Sequence, residues 1–75
     1  MTKILVADDE MLYQHLLRVN LEKEGYEVIA ASNGEEALDL VTSRHPDLVV
    51  LDIMMPRLDG ISTCERIRQF SNVPI

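Results

Sequence analysis

Three short, β-favouring apolar runs divide the chain, and each is followed by a segment with helical character. Lys3-Ile4-Leu5-Val6-Ala7 has no polar alternation and stops abruptly at Asp8-Asp9-Glu10. Runs of that kind belong to strands buried on both faces, as in a parallel sheet. Tyr26-Glu27-Val28-Ile29-Ala30-Ala31 is the second run. Leu48-Val49-Val50-Leu51 is the third and most continuously apolar, and it ends in Asp52 as the first ends in Asp8. Val73-Pro74-Ile75 has the form of the opening of another strand.

The segments between the runs carry a different period. Tyr13, Leu16, Leu17 and Leu21 share one helical face, whereas Arg18, Glu22 and Lys23 fall elsewhere. Gly25 stands where a helix commonly ends in a left-handed residue. Ser32-Asn33-Gly34-Glu35 has the form of a capping box, with Ser32 as the cap, Glu35 as its reciprocal partner, and Ala37, Leu38 and Val41 as the apolar face that follows. Asn33-Gly34 also suits a hairpin turn, but no alternating strand comes after it. Pro46 cannot continue that helix. Asp59 can cap a third helix, with Ile61, Cys64 and Ile67 or Arg68 as its stripe. Strands alternating with helices predict an α/β fold, a parallel sheet covered on both faces.

Apolar residues make up 47% and charged residues 27% of the 75, too hydrophobic and too evenly mixed for a disordered chain. A chain this short buries only about 60% of its unfolded surface, so one domain of modest stability is the upper limit. The net charge of −6, with basic residues scattered rather than clustered, disfavours direct binding of nucleic acid or of an anionic membrane. The apolar runs fall far short of the roughly 18 residues a membrane span needs. A lone Cys64 and the lack of an N-terminal signal pattern fit a cytoplasmic setting.

In an open parallel sheet, ligands sit beyond the carboxyl ends of the strands. Asp8, Asp9 and Asp52 lie at such ends, and they converge if the third strand neighbours the first. Clustered carboxylates repel, and a proton or a divalent cation must relieve that. Oxygen ligands with positions left for water suit Mg²⁺, which commonly bridges to phosphate. The plain alternative for each acid is a turn former or helix cap. Asp52 is harder to explain that way, because it stands between four apolar residues and Ile53-Met54-Met55-Pro56, and such an acid usually has a partner or a task. His15 and His45 fall in predicted helical segments without a paired ligand and read as surface residues. Met54 and Met55 read as packing or loop residues, since thioether sulfur does not suit Mg²⁺. Cys64 reads as core.

The sequence resembles the receiver domain of two-component response regulators. The likeness runs across all 75 residues: Lys-Ile-Leu-Val-Ala-Asp-Asp-Glu at the start, Glu-Gly-Tyr-Glu-Val, Asn-Gly-Glu-Glu-Ala-Leu, and above all Pro-Asp-Leu-Val-Val-Leu-Asp-Ile-Met-Met-Pro-Arg-Leu-Asp-Gly from Pro46 to Gly60. The resemblance implies a doubly wound, flavodoxin-like sheet with strand order 2-1-3 in this part. It implies that Asp52 accepts a phosphoryl group from a phosphohistidine on a sensor histidine kinase or phosphotransfer protein. Asp9, Asp52 and the backbone carbonyl of Met54 would hold Mg²⁺, and Asp8 would act mainly through a bound water. Pro56 and Gly60 would shape the loop that turns the Met54 carbonyl inward. On this reading the chain is a phosphoacceptor rather than an enzyme in its own right.

The family pattern continues with the rest of a fourth strand, a fifth strand and two more helices, and a Ser or Thr and a Lys ending those strands contact the phosphoryl group. Residues 1–75 therefore read as the N-terminal part of one receiver domain, able to hold metal and acceptor but not to relay a switch. A third strand left as an apolar edge predicts self-association, as a homo-oligomer that pairs these edges or exchanges elements. Two other classes remain open. One is an inert interaction module or designed half-domain. The other is a phosphatase with an aspartyl-phosphate intermediate, which would want an acid two residues after Asp52, where Met54 stands.

Overall fold

The computed structural model describes residues 1–52 and 59–75. The elements follow in the order β1 (Lys3–Ala7), α1 (Met11–Lys23), β2 (Glu27–Ala31), α2 (Gly34–Arg44), β3 (Leu48–Leu51) and α3 (Gly60–Arg68). All strand pairs are parallel and the sheet order is β2-β1-β3. Ile4 stands between Val28 and Leu48, and Ala7 between Ala31 and Leu51. The α/β, 2-1-3 expectation is met.

Side chains alternate across the sheet with the period of two that a strand imposes. Leu5, Ala7, Ile29, Ala31 and Val49 face α2 and α3, where Ala37, Val41 and Ile67 complete the larger core. Ile4, Val6 and Val28 face the opposite way, toward Leu17 and Leu21 of α1. The strands lack polar alternation because β1, in the centre, needs apolar residues on both faces.

The stripes of α1 and α3 differ in part from expectation. On α1 only Leu17 and Leu21 pack on the sheet, whereas Tyr13 and Leu16 are more than half exposed. Leu17 and Leu21 are one turn apart and lie over Ile4, Val6 and Val28, so Leu16 is rotated off that line. On α3 the buried residues are Gly60, Thr63 and Ile67. Ile61 is exposed and Cys64 only half-buried. The stripe turns by one position because Thr63 satisfies its hydroxyl internally, on the Asp59 carbonyl at 2.7 Å, and can therefore be buried.

The capping box on α2 is shifted by one residue. Asn33, not Ser32, is the cap: its Oδ1 accepts from the Glu36 N–H at 2.9 Å, while Glu36 Oε1 accepts from the Ser32 N–H at 2.8 Å. Asparagine caps as well as serine, so the neighbouring Glu35 and Glu36 leave either register open to a reading of sequence. Asp59 caps α3 as expected, its Oδ1 accepting from the Ser62 N–H at 2.8 Å. That backbone hydrogen bond, ahead of other causes, holds the Asp59 carboxyl below its usual value. Gly25 adopts φ +89° after α1, and His45 ends α2 in the left-handed region at φ 48° instead of lying within the helix. Tyr26 precedes β2 rather than opening it.

Residues Val73–Ile75 form no assigned strand, yet the Val49 N–H donates to the Pro74 carbonyl at 2.9 Å and Val73 packs on the larger core. The segment runs beside the outer edge of β3, which is the position expected for a fourth strand.

Candidate functional site

Register decides where the acids meet. Ala7 and Leu51 are partners on adjacent parallel strands, so the residues that follow them, Asp8 and Asp52, leave the sheet side by side. Two backbone hydrogen bonds extend the ladder past the strands: Asp52 N–H to the Ala7 carbonyl at 2.9 Å and Asp8 N–H to the Ala31 carbonyl at 3.0 Å. One carboxylate oxygen from each of Asp8, Asp9 and Asp52 lies within 4.8 Å of the others. Asp8 and Asp52 are half-buried and Asp9 is exposed.

The Asp8 carboxylate is oriented locally. Its Oδ1 accepts from the Glu10 N–H at 2.9 Å, closing an Asx-type turn where the chain enters α1. Glu10, the residue before α1, offers that helix no side-chain cap. Gln14, half-buried one turn into α1, donates from Nε2 to the carbonyl of Asp8 and to that of Ala31, the latter at 2.9 Å.

The donor set suits a hard divalent cation. Oxygens bound to one Mg²⁺ at about 2.0–2.1 Å lie at most about 4 Å apart. Adjacent oxygens on such an ion are only about 3 Å apart, so carboxylates spread over as much as 4.8 Å would draw together around it or reach it in part through water. A groove of about 390 Å³ opens beside them on the α1 face of the sheet, lined by Val6, Tyr13, Leu17, Val50 and Asp52 among others. The site is thus half wet, with carboxylates at the strand ends and an apolar floor.

Other residues singled out from sequence fall elsewhere. His15 and His45 are exposed, and the backbone carbonyl of Arg44, next to His45, accepts from Lys3 Nζ at the opposite end of β1 from the acids. Cys64 lines a separate apolar groove of about 290 Å³ with Leu51, Ile61 and Ile75. Met54, its carbonyl, Met55 and Pro56 lie outside the described residues. Gly60 is buried at the start of α3. Gln14 was not anticipated, because one glutamine between Tyr13 and His15 carries no pattern that separates it from a solvent-facing residue.

The family model for the response regulator receiver domain matches residues 4–75. The chain belongs to that family. The receiver sequence is 51% identical over 73 residues to the probable transcriptional regulator ycf27 of Cyanophora paradoxa, covering 97% of this chain and 30% of that protein. It is 57% identical over 67 residues to the alkaline phosphatase synthesis transcriptional regulatory protein PhoP of Bacillus subtilis, covering 89% and 28%. Among solved structures, the response regulator TrrA of Thermotoga maritima, in complex with Mg²⁺ and BeF, superposes with a TM-score of 0.89 at 48% identity, over 92% of this chain and 60% of that one. The receiver chain thus spans under a third of the length of these curated relatives. None of its described helices is long and apolar enough to cross a membrane.

Proposed function

We propose that this receiver chain binds Mg²⁺ and accepts a phosphoryl group on Asp52 from a sensor histidine kinase or phosphotransfer protein, in the cytoplasm. The observation that carries the reading is the convergence of Asp8, Asp9 and Asp52 at the carboxyl ends of two adjacent strands. The Mg²⁺-BeF complex of the TrrA relative supports the choice of metal. Bound Mg²⁺ supplies charge neutralisation to phosphoryl oxygens and a fixed approach line.

The chain's own residues supply the rest. Asp9 and Asp52 would hold the metal together with the Met54 carbonyl by the family pattern, and Asp8, its Oδ1 on the Glu10 N–H, would act through a bound water. A carboxylate oxygen of Asp52 attacks phosphorus as the bond from phosphorus to the donor nitrogen breaks, and the leaving imidazole takes the electron pair. With acetyl phosphate as donor, the bond broken is P–O and acetate leaves. The product is an aspartyl phosphate, so the chain is a consumed acceptor.

Val50, 38% exposed on β3, favours self-association of the 75-residue chain along that edge.

Incubation with Mg²⁺ and acetyl phosphate, read by intact mass, tests the assignment. One phosphoryl adduct that vanishes with EDTA and in Asp52→Asn is expected. A chain that stays unmodified while its Mg²⁺ affinity is normal overturns acceptance and favours an inert interaction module.

A further inference from the structure

The geometry points to Gln14 as a positioning residue for the metal carboxylates, an inference that rests on the Mg²⁺ site proposed above. The side-chain amide of Gln14 joins three elements at the edge where the acids emerge. Nε2 has two protons, and the two carbonyls it meets are those of Asp8, just past β1, and Ala31, the last residue of β2. A further approach to Ser32 Oγ, at 3.5 Å, is too long to add much.

The Ala31 carbonyl is the hinge of the arrangement. It accepts from the Asp8 N–H at 3.0 Å and from Gln14 at 2.9 Å, so both of its lone pairs are engaged. Asp8 is consequently held at three points: its N–H on Ala31, its carbonyl on Gln14, and its carboxylate on the Glu10 N–H. The peptide linking Asp8 to Asp9 begins at the carbonyl that Gln14 grips. Rotation of that peptide swings Asp9, the exposed acid of the three, away from Asp52. An uncapped α1 start gives the turn little other support. Gln14 thus pre-pays the ordering of Asp9 that an incoming cation would otherwise have to impose.

The test uses the 75-residue chain and two readouts. Without metal, amide hydrogen exchange in Gln14→Leu is expected to quicken at Asp8 and Glu10 while β1 and β3 interior amides keep their protection. Gln14→Lys, which again offers N–H donors to both carbonyls, is expected to restore it. With metal, Mg²⁺ titration followed by NMR is expected to give Gln14→Leu an affinity about tenfold weaker, the low end for residues behind the ligands. Equal affinity in wild type and Gln14→Leu overturns the inference, as does unchanged exchange at Asp8 and Glu10. Wild type that binds no Mg²⁺ overturns the metal reading instead, and the exchange comparison still decides whether Gln14 holds the turn.

Discussion

The Asp52 N–H donates to the Ala7 carbonyl at 2.9 Å, one residue beyond the last partnered position of β1 and β3. That bond fixes where the acceptor stands, because the ladder places the Asp52 backbone whatever its side chain does. Removing the carboxylate charge should therefore leave the fold intact. Asp52→Asn is expected to keep the circular dichroism spectrum and melting temperature of the wild type without metal, or to melt slightly higher because one repulsive charge is gone. Under acetyl phosphate it should show no mass adduct. Loss of folded signal would mean that the Asp52 side chain supports structure.

Metal should stabilise the chain by mass action. At 100 times Kd a ligand that binds only the folded state adds about 2.7 kcal/mol. For a domain of this size about 1 kcal/mol shifts the melting temperature by roughly 4–8 °C. Saturating Mg²⁺ should accordingly raise it by on the order of 10 °C. Asp9→Asn should remove most of that rise while leaving the metal-free melting temperature unchanged, as read by thermal scans over a Mg²⁺ series.

The architecture was legible because the signals were redundant. Unalternating apolar runs suit strands covered on both faces, and Asp8 and Asp52 marked the ends of two of them. Their convergence then followed from one topological step, the pairing of β3 with β1. The helix stripes were less legible because periodicity fixes a face only to within about one residue, and what rotates it lies outside the helix. Thr63 shows this: a hydroxyl that bonds the Asp59 carbonyl turns a polar residue inward and leaves Ile61 exposed. Gln14 was illegible for another reason, since its partners are backbone carbonyls, which every sequence has.

The α2 cap offers a direct check on register. Asn33 Oδ1 holds the Glu36 N–H, so Asn33→Ala should cost about 1 kcal/mol. Ser32→Ala should stay within about 0.5 kcal/mol, because Ser32 contributes a backbone N–H rather than its hydroxyl. Urea midpoints of the two variants distinguish the observed register from the one that sequence suggests. The reverse order of costs would restore Ser32 as the cap.

Acid should loosen α3 through its cap. The Ser62 backbone N–H holds the Asp59 carboxyl below its ordinary value of 3.8, so the folded state binds fewer protons there than the unfolded state does. The stabilisation is fully present above 3.8 and is lost as pH falls through the lower folded value. Asn at this position caps without titrating. The difference in melting temperature between wild type and Asp59→Asn should thus be constant from neutral pH to the ordinary carboxylate range, then shrink below it. A difference that grows with acidity would reverse the sign of the linkage.

The edge of β3 sets the remaining expectation. The Pro74 carbonyl takes the Val49 N–H, so part of that edge is already occupied from within the chain. Beyond it, Val50 is 38% exposed and lines the groove beside Asp52. A partly exposed strand with an apolar side chain over an open groove recruits further apolar surface, and lysine on such an edge opposes this by charge. Sedimentation of the wild-type chain should show concentration-dependent association, weakened in Val50→Lys with the circular dichroism spectrum retained. A compact monomer at all micromolar concentrations would show that the Val73–Ile75 segment and α1 together shield the edge, and would remove self-association from the reading of this receiver chain.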